Sequence, residues 1–341
     1  GTEVDSTLGL LDNTVYTNNT VDDKKIYVLK GKNKETVPDD AGYVALVNCT
    51  NMIVQNLTIS RSGEGIVAFQ TTGTTILNDT INDVVYGILL VSHCDNTVIK
   101  NCSLTNGTAS SAGVYLDGDG IHARDADGTQ VKNCTVSNFD GTGIKIIGKG
   151  SAATGKAVLE GNSLSWNKAY AIWVQNNPSP TVKGNTISDN PGGGITVCYL
   201  SSAQVTYNNI TRSDRSISLY DGLTSPTISN NNISDGFIGI QDAYGGSSGI
   251  TIKNNLIWGM TWGLDVSVKG TTFTTNTIHD CKYGMDLYYP DSVSLTGNKF
   301  YNNTHSLYIY RSNAHLNSMS LSTHNTIDGK PVYLWKSQSG K

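Results

Sequence analysis

Apolar residues recur along this chain in short runs that alternate with polar ones, and glycine, asparagine, aspartate or serine ends each run. Thr97-Val-Ile-Lys100, Gly194-Ile-Thr-Val197 and Gly284-Met-Asp-Leu287 are examples. Alternation with period two over so few residues predicts half-buried strands and no long helix. A second regularity is longer. A marker residue preceded closely by asparagine falls at Ile59, Ile81, Leu104, Val136, Leu164, Ile187, Ile210, Ile233, Ile257, Ile278, Phe300 and Ile327, at intervals of 21 to 32 residues. Such a period leaves no room for crossover helices, so the chain must wind as a coil and pair each turn with its neighbours. The expected fold is all-β: a right-handed, single-stranded parallel β-helix (solenoid) of about twelve coils.

The whole chain, 1–341, reads as one β-helix domain. Residues 1–47 are expected to form an N-terminal capping module, 48–312 the core coils, and 313–341 a last coil and the start of a repeated end module. The repeat is direct: Asn19-Thr-Val-Asp-Asp-Lys-Lys-Ile-Tyr-Val-Leu-Lys aligns without gaps on Asn325-Thr-Ile-Asp-Gly-Lys-Pro-Val-Tyr-Leu-Trp-Lys, 306 residues on. Ile26, Tyr27, Val28 and Leu29 are expected to cover one end of the core, and Val332 to Trp335 the other. Asparagine stands two before the marker at 162, 185, 208, 231, 276, 298 and 325, and one residue earlier at 78, 101 and 133. Stacked amides at a tight turn can bond along the solenoid, so these asparagines are expected to form a ladder. Cys102 and Cys134 occupy that position in adjacent coils, near enough for a disulfide but expected as buried thiols. The six cysteines show no C-x-x-C spacing, so no zinc site is expected.

If the aliphatic after each glycine points inward, as at Ile66, Ile88, Ile121, Ile144 and Ile172, the next residue points to solvent. The outward column then reads Val67, Leu89, His122, Lys145, Trp173, Thr196, Ser218, Gln241, Asp265, Asp286 and Tyr308. Two residues on, the next column includes Arg124, Gln175, Tyr220, Tyr288 and Tyr310. An aromatic ring covers the apolar face of a pyranose, while acids, amides and cations meet its hydroxyls and carboxylates, so this face suits an extended polysaccharide. The longest interval, between Leu104 and Val136, gathers Asp117, Asp119, His122, Arg124, Asp125 and Asp127, and the next coil adds Asp140 and places Lys145 above His122.

Asp119 and Asp140 are expected to project from neighbouring coils as the acid–base or nucleophile pair of a glycoside hydrolase, with His122 and Lys145 completing the catalytic set. Asp117, Arg124, Tyr170, Trp173, Gln175, Tyr220, Gln241, Asp265 and Asp286 are the expected substrate contacts. Elimination with Lys145 or Arg124 as base is an alternative, and a non-catalytic surface-layer or glycan-binding module is another. The Asp-Gly run also reads as a set of tight turns. No cofactor is required, although Asp117, Asp119, Asp125 and Asp127 could offer oxygens to calcium.

Composition narrows the partners. With 24 Lys and Arg against 28 Asp and Glu, a net charge of −4, the chain carries no basic field for nucleic acid. No stretch approaches the ~20 apolar residues of a membrane span. Asn-x-Ser/Thr sequons suit an extracellular or cell-surface location.

The phrase from Asn19 through Val37-Pro-Asp-Asp-Ala-Gly-Tyr-Val-Ala-Leu-Val-Asn-Cys-Thr-Asn51, with Asn325-Thr-Ile-Asp-Gly-Lys-Pro-Val-Tyr333, resembles the NosD-type family of β-helix repeat proteins. That resemblance covers nearly the whole chain and implies the β-helix fold and an archaeal envelope or secreted setting. Further modules of a longer surface protein are implied too. Polysaccharide-cleaving disaggregatases are one occupation of related β-helices. The copper that the family's name implies finds no clustered ligands here, since Met52, Met260, Met285 and Met319 and most of the histidines are scattered. Asp119-Gly-Ile121, Val131-Lys-Asn-Cys134 and Asp140 followed by Ile144-Lys-Ile146 are also similar to the polygalacturonase pattern. Gly141 stands where that pattern has a second aspartate and Ala169-Tyr-Ala171 where it has Gly-His-Gly, so a related polysaccharide chemistry is what carries over.

Overall fold

The marker residues sit in short strands, and in the first coils their side chains are fully enclosed: Ile59, Ile81, Leu104, Val136 and Leu164 have no exposed surface. The computed structural model describes residues 18–109, 118–149, 155–199, 202–243, 245–266, 269–288, 290–310 and 313–334. Strands of three parallel sheets alternate along the chain, and it divides into two compact units, Gly1–Asn177 and Pro178–Lys341.

In the first unit, the first sheet takes Ala41–Val47, Glu64–Phe69, Tyr86–Val91, Ile121–Arg124, Ile144–Ile147 and Ile172–Gln175 in that order. The second runs from Ile53–Gln55 to Val158–Glu160 and the third from Thr58–Ser60 to Ser163–Ser165. Equivalent positions of successive coils pair in register, so Ile66, Ile88, Ile121, Ile144 and Ile172 form one fully buried column. Alternate residues face the core and bury apolar surface at roughly 25 cal/mol per Å².

The turn from second to third sheet uses two positions with different chemistry. The first is left-handed, at φ 60° for Asn56, 58° for Asn78, 55° for Asn101 and 52° for Asn133, a conformation that asparagine tolerates better than other side chains. These amides are exposed and bond outside the core, Asn78 Nδ2 donating to Asn56 Oδ1 at 3.3 Å and Asn101 Nδ2 to Asn78 Oδ1 at 3.2 Å. The second position is buried and holds Leu57, Asp79, Cys102, Cys134 and Asn162. The asparagines one residue early therefore form a separate outer row. All six cysteines are buried free thiols.

In the second unit the buried position is asparagine in every coil: Asn185, Asn208, Asn231, Asn255, Asn276, Asn298 and Asn325. Asn255, two before the marker Ile257, belongs to this row as well. Each Nδ2 donates to the Oδ1 of the next asparagine, at 2.9 to 3.0 Å from Asn185 to Asn325. Asn255 Oδ1 takes the backbone N–H and Nδ2 of Asn231, and its Nδ2 reaches Ile228 O at 3.0 Å. Asn255→Ala should therefore destabilise this unit by ~2–4 kcal/mol in urea unfolding, because it strands buried donors and acceptors on both sides. A change under ~1 kcal/mol would mean that water or a backbone shift replaces the amide.

The sequence repeat is a structural one. Thr20–Val21 pairs antiparallel with the start of Lys24–Lys30, and Thr326–Ile327 with Lys330–Pro331, in the same register 306 residues apart. Ile26 N–H donates to Asn19 O at 3.0 Å, and its counterpart Val332 N–H donates to Asn325 O at 2.9 Å. Lys24–Lys30 adds a parallel strand to Ala41–Val47, with Ile26, Tyr27, Val28 and Leu29 half-buried. Val332 to Leu334 lie beyond the second hairpin; Trp335 is outside the described residues. No helix among the described residues is long and apolar enough to cross a membrane.

Candidate functional site

On the outer face of the first sheet, the first unit stacks three columns. Glu64, Tyr86, Asp119, Thr142 and Tyr170 form one; Val67, Leu89, His122, Lys145 and Trp173 the next; Phe69, Val91, Arg124, Ile147 and Gln175 the third. The second column changes from Val67 and Leu89 to His122 and Lys145 at the coil that carries the Asp-Gly run. Gly120 fits this coil onto the next: a Cβ there would meet Val136 Cγ1 at 2.3 Å and Gly143 O at 2.6 Å, so only glycine lets Asp119 and Ile121 sit where they do.

Asp119 is fully buried and saturated. Its Oδ1 accepts the Thr142 N–H at 2.6 Å, and its Oδ2 lies 2.9 Å from His122 Nδ1 and 3.7 Å from Lys145 Nζ. His122 is buried against the edge of Tyr86, with ring centroids 5.8 Å apart. Asp140 is the more open carboxylate. Its side chain keeps 29% of its surface exposed, its Oδ1 pairs with Lys168 Nζ at 2.5 Å and its Oδ2 accepts the Ala109 N–H at 3.0 Å. The Lys168 ammonium holds this carboxyl below its ordinary range.

These groups surround a solvent-open hollow of about 530 Å³. Asp140, Gly141, Thr142 and Lys145 form one part of its wall, and Ile147, Ala169, Tyr170, Trp173 and Gln175 another. Asp119 borders it from behind, with no surface of its own in contact with water. Tyr170 and Trp173 stand 5.0 Å apart between centroids at a tilt of 56°, and Trp173 Nε1 donates to Gln175 Oε1 at 3.1 Å. The Lys145 side chain is 20% exposed.

Thus Asp119, Asp140, Lys145, Tyr170, Trp173 and Gln175 come together, and His122 supports them from below. Arg124 is exposed in the third column and does not line the hollow. Asp117 lies outside the described residues. Tyr220, Gln241, Asp265 and Asp286 lie in the second unit. The expectation that the outward column faces solvent fails for much of its length: Val67, Thr196, Ser218 and Gln241 are all buried. Longer side chains fold over shorter neighbours, as Gln241 does in donating to Ser218 Oγ at 2.8 Å.

Lys168, Thr142 and Tyr86 touch these groups and were missed by sequence reading. Lys168 was accessible to it: Asp140 and Lys168 each stand four residues after their markers, Val136 and Leu164, so they stack in adjacent coils.

Among the described acids of the Asp-Gly run no three converge. Asp127 lies 3.9 Å from Lys149 Nζ, which also pairs with Asp95 at 2.9 Å, whereas Asp119 joins the hollow. Among the described residues no group of three His, Cys, Asp or Glu side chains could hold a metal ion. Met52, Met260, Met285 and Met319 are buried in the core, so these residues do not fit copper.

Residues 112–267 match the family described as right handed beta helix region. The chain is a right-handed parallel β-helix protein. Its solenoid makes about 11 turns, and residues 243–340 also match the family of the periplasmic copper-binding protein NosD. No curated protein matches this β-helix. Among solved structures, the Azotobacter vinelandii mannuronan C-5 epimerase AlgE6 A-module is similar at 15% identity and a TM-score of 0.51, with 83% of each chain covered. A mannuronic acid specific polysaccharide family 6 lyase from human gut microbiota gives 13% identity and 0.54 over 86% of this chain and 78% of that one. The catalytic domain of a GH87 alpha-1,3-glucanase in complex with nigerose gives 14% and 0.51, and this β-helix covers 89% of itself but 62% of that domain. At such identities the likeness is one of fold.

Proposed function

We propose that this β-helix is a polysaccharide-cleaving enzyme that takes a uronate-bearing chain into the hollow of the first unit and breaks it by β-elimination. The inequality of the two aspartates carries this reading. Two-carboxylate hydrolysis needs both groups at the glycosidic bond. Asp119 has no exposed surface and spends its oxygens on Thr142, His122 and Lys145, so it supports Lys145 instead of touching sugar. Asp140 is ionised and accessible.

Elimination asks for one base, one positive charge and one proton donor. Lys145 neutralises the sugar carboxylate and the charge that spreads into it. Asp140 takes the proton from the carbon beside that carboxylate, and the electron pair of the broken C–H bond becomes the new C=C bond. The C–O bond to the next sugar then breaks, and its oxygen receives the Tyr170 hydroxyl proton. Trp173 stacks under a neighbouring pyranose. Support comes from the neighbours named above, which act on mannuronan, alpha-1,3-glucan and a mannuronic acid polysaccharide. An extracellular or cell-surface setting agrees with the NosD match, and the hairpin present twice fits a protein of repeated modules.

Incubation with a panel of acidic polysaccharides should yield near-ultraviolet absorbance from the conjugated double bond in step with new reducing ends. Trp173→Ala should raise the half-saturating polymer concentration roughly tenfold, the loss of about 1.4 kcal/mol of stacking. Reducing ends without absorbance would move the reaction to hydrolysis. No product from any polymer would leave a non-catalytic glycan-binding module.

A further inference from the structure

The second unit has a surface of its own on its first sheet. Asp265 pairs in register with Gln241 on one side and Asp286 on the other, and Asp286 with Tyr308. Two rows of stacked rings flank these acids. Trp262, Tyr283 and His305 stack at 4.0 and 5.1 Å, and Tyr288 stacks on Tyr310 at 4.9 Å. Tyr288, Tyr308 and Tyr310 are 42%, 49% and 42% exposed. Met285 and Leu287 point into the core, so Asp286 between them points outward, toward the tyrosines.

Asp286 is nonetheless 91% buried, and its Oδ1 has no hydrogen-bond partner. Adjacent parallel strands put two like charges ~4.8 Å apart at backbone level. Burial raises the carboxyls of Asp265 and Asp286, and Asp265 raises that of Asp286 further. Burial raises neighbouring Asp242 too, and the Asp221 and Asp265 charges add to the effect. Lys282, the cation beside the aromatic row, sits over the Tyr283 ring at 5.3 Å. A buried acid with an unsatisfied oxygen beside a half-buried one, bordered by exposed rings, lacks a cation that also has an apolar face.

We propose that this surface is a second carbohydrate-binding site, selective for a sugar that carries a free amino group. The ammonium seats against the Asp265 and Asp286 carboxylates and compensates their like charges, while the pyranose rests on Tyr308 and Tyr310. A neutral sugar offers hydroxyls but leaves the like charges uncompensated. A divalent cation needs six or more oxygens, and among the described residues no group of three acids is placed to hold one. The site is separate from the elimination chemistry and stands whether or not the hollow cleaves.

Calorimetric titration of the whole protein with a glucosamine hexamer tests it, against the fully N-acetylated hexamer. The amino form should bind at least tenfold tighter. Asp265→Asn/Asp286→Asn should weaken it at least tenfold, and Tyr308→Ala, at an exposed position that cannot disturb the core, should weaken it about as much; Asp140→Asn should not. Equal binding of the two hexamers overturns the proposal, as does binding lost in Asp140→Asn but kept in the double variant. Calcium that binds the wild type, displaces the hexamer and fails to bind the double variant would make this a cation site and overturn it as well.

Discussion

Asp140→Asn should slow cleavage by roughly 10²–10⁴-fold, the usual cost of removing a positioned proton acceptor, without loss of folding. The amide keeps the shape of the side chain and can still accept the Ala109 N–H, which Asp140 Oδ2 takes at 3.0 Å. It cannot hold the substrate's proton. Lys145→Ala should cost ~10²–10³-fold, since the charge that develops on the sugar carboxylate loses the only lining cation among the described residues. Acid dependence separates the two roles. Lys168 depresses the Asp140 carboxyl, so Asp140 stays ionised until the pH falls below the ordinary carboxylate range, and the acid limb of the rate profile lies there. Lys168→Ala should move that limb upward toward the ordinary range. Initial rates across pH on one acidic polymer check this; an unmoved limb would show that Asp140 does not accept the proton.

Asp79→Asn should stabilise the protein by up to ~3 kcal/mol above neutral pH. Asp79 occupies the buried asparagine position of its coil, where its Oδ1 accepts the Leu57 N–H at 2.8 Å but its Oδ2 has no partner. Burial raises its carboxyl from 3.8 to about 6. The folded protein therefore holds this proton more tightly than the unfolded chain does. Stability from Asp79 is full below 3.8, falls as the pH climbs through the interval to about 6, and is lost beyond it; each unit of difference corresponds to ~1.4 kcal/mol. Asparagine carries no charge to desolvate. Its Nδ2 would sit where Asn162 places its own, which donates to Val131 O at 3.0 Å, and would meet Val54 O in the same way. Urea unfolding of both proteins at pH 4 and pH 8 should show a gap that opens with pH. A gap that is equal at both would rule out ionisation of Asp79 as its source.

Periodicity alone determined the solenoid. A marker every 21 to 32 residues with period-two alternation between leaves one way to bury apolar side chains, and the paired strands follow it coil by coil. The end repeat was legible for the same local reason, since the turn residues Asp22, Asp23, Asp328 and Gly329 all take positive φ. Register carried further, from Ile121 and Ile144 to the stacking of Lys145 on His122 and of Trp173 on Lys145. Residue spacing does not carry depth. Asp119 and Asp140 look alike in sequence, yet the turn that brings the Thr142 N–H, His122 and Lys145 onto Asp119 enclosed one carboxylate and left the other open. Asp265 and Asp286 were visible as a pair, but the burial of Asp286 and the rings beside them come from neighbouring coils. Which side chain lies over which depends on packing across coils, and tertiary structure alone settles that.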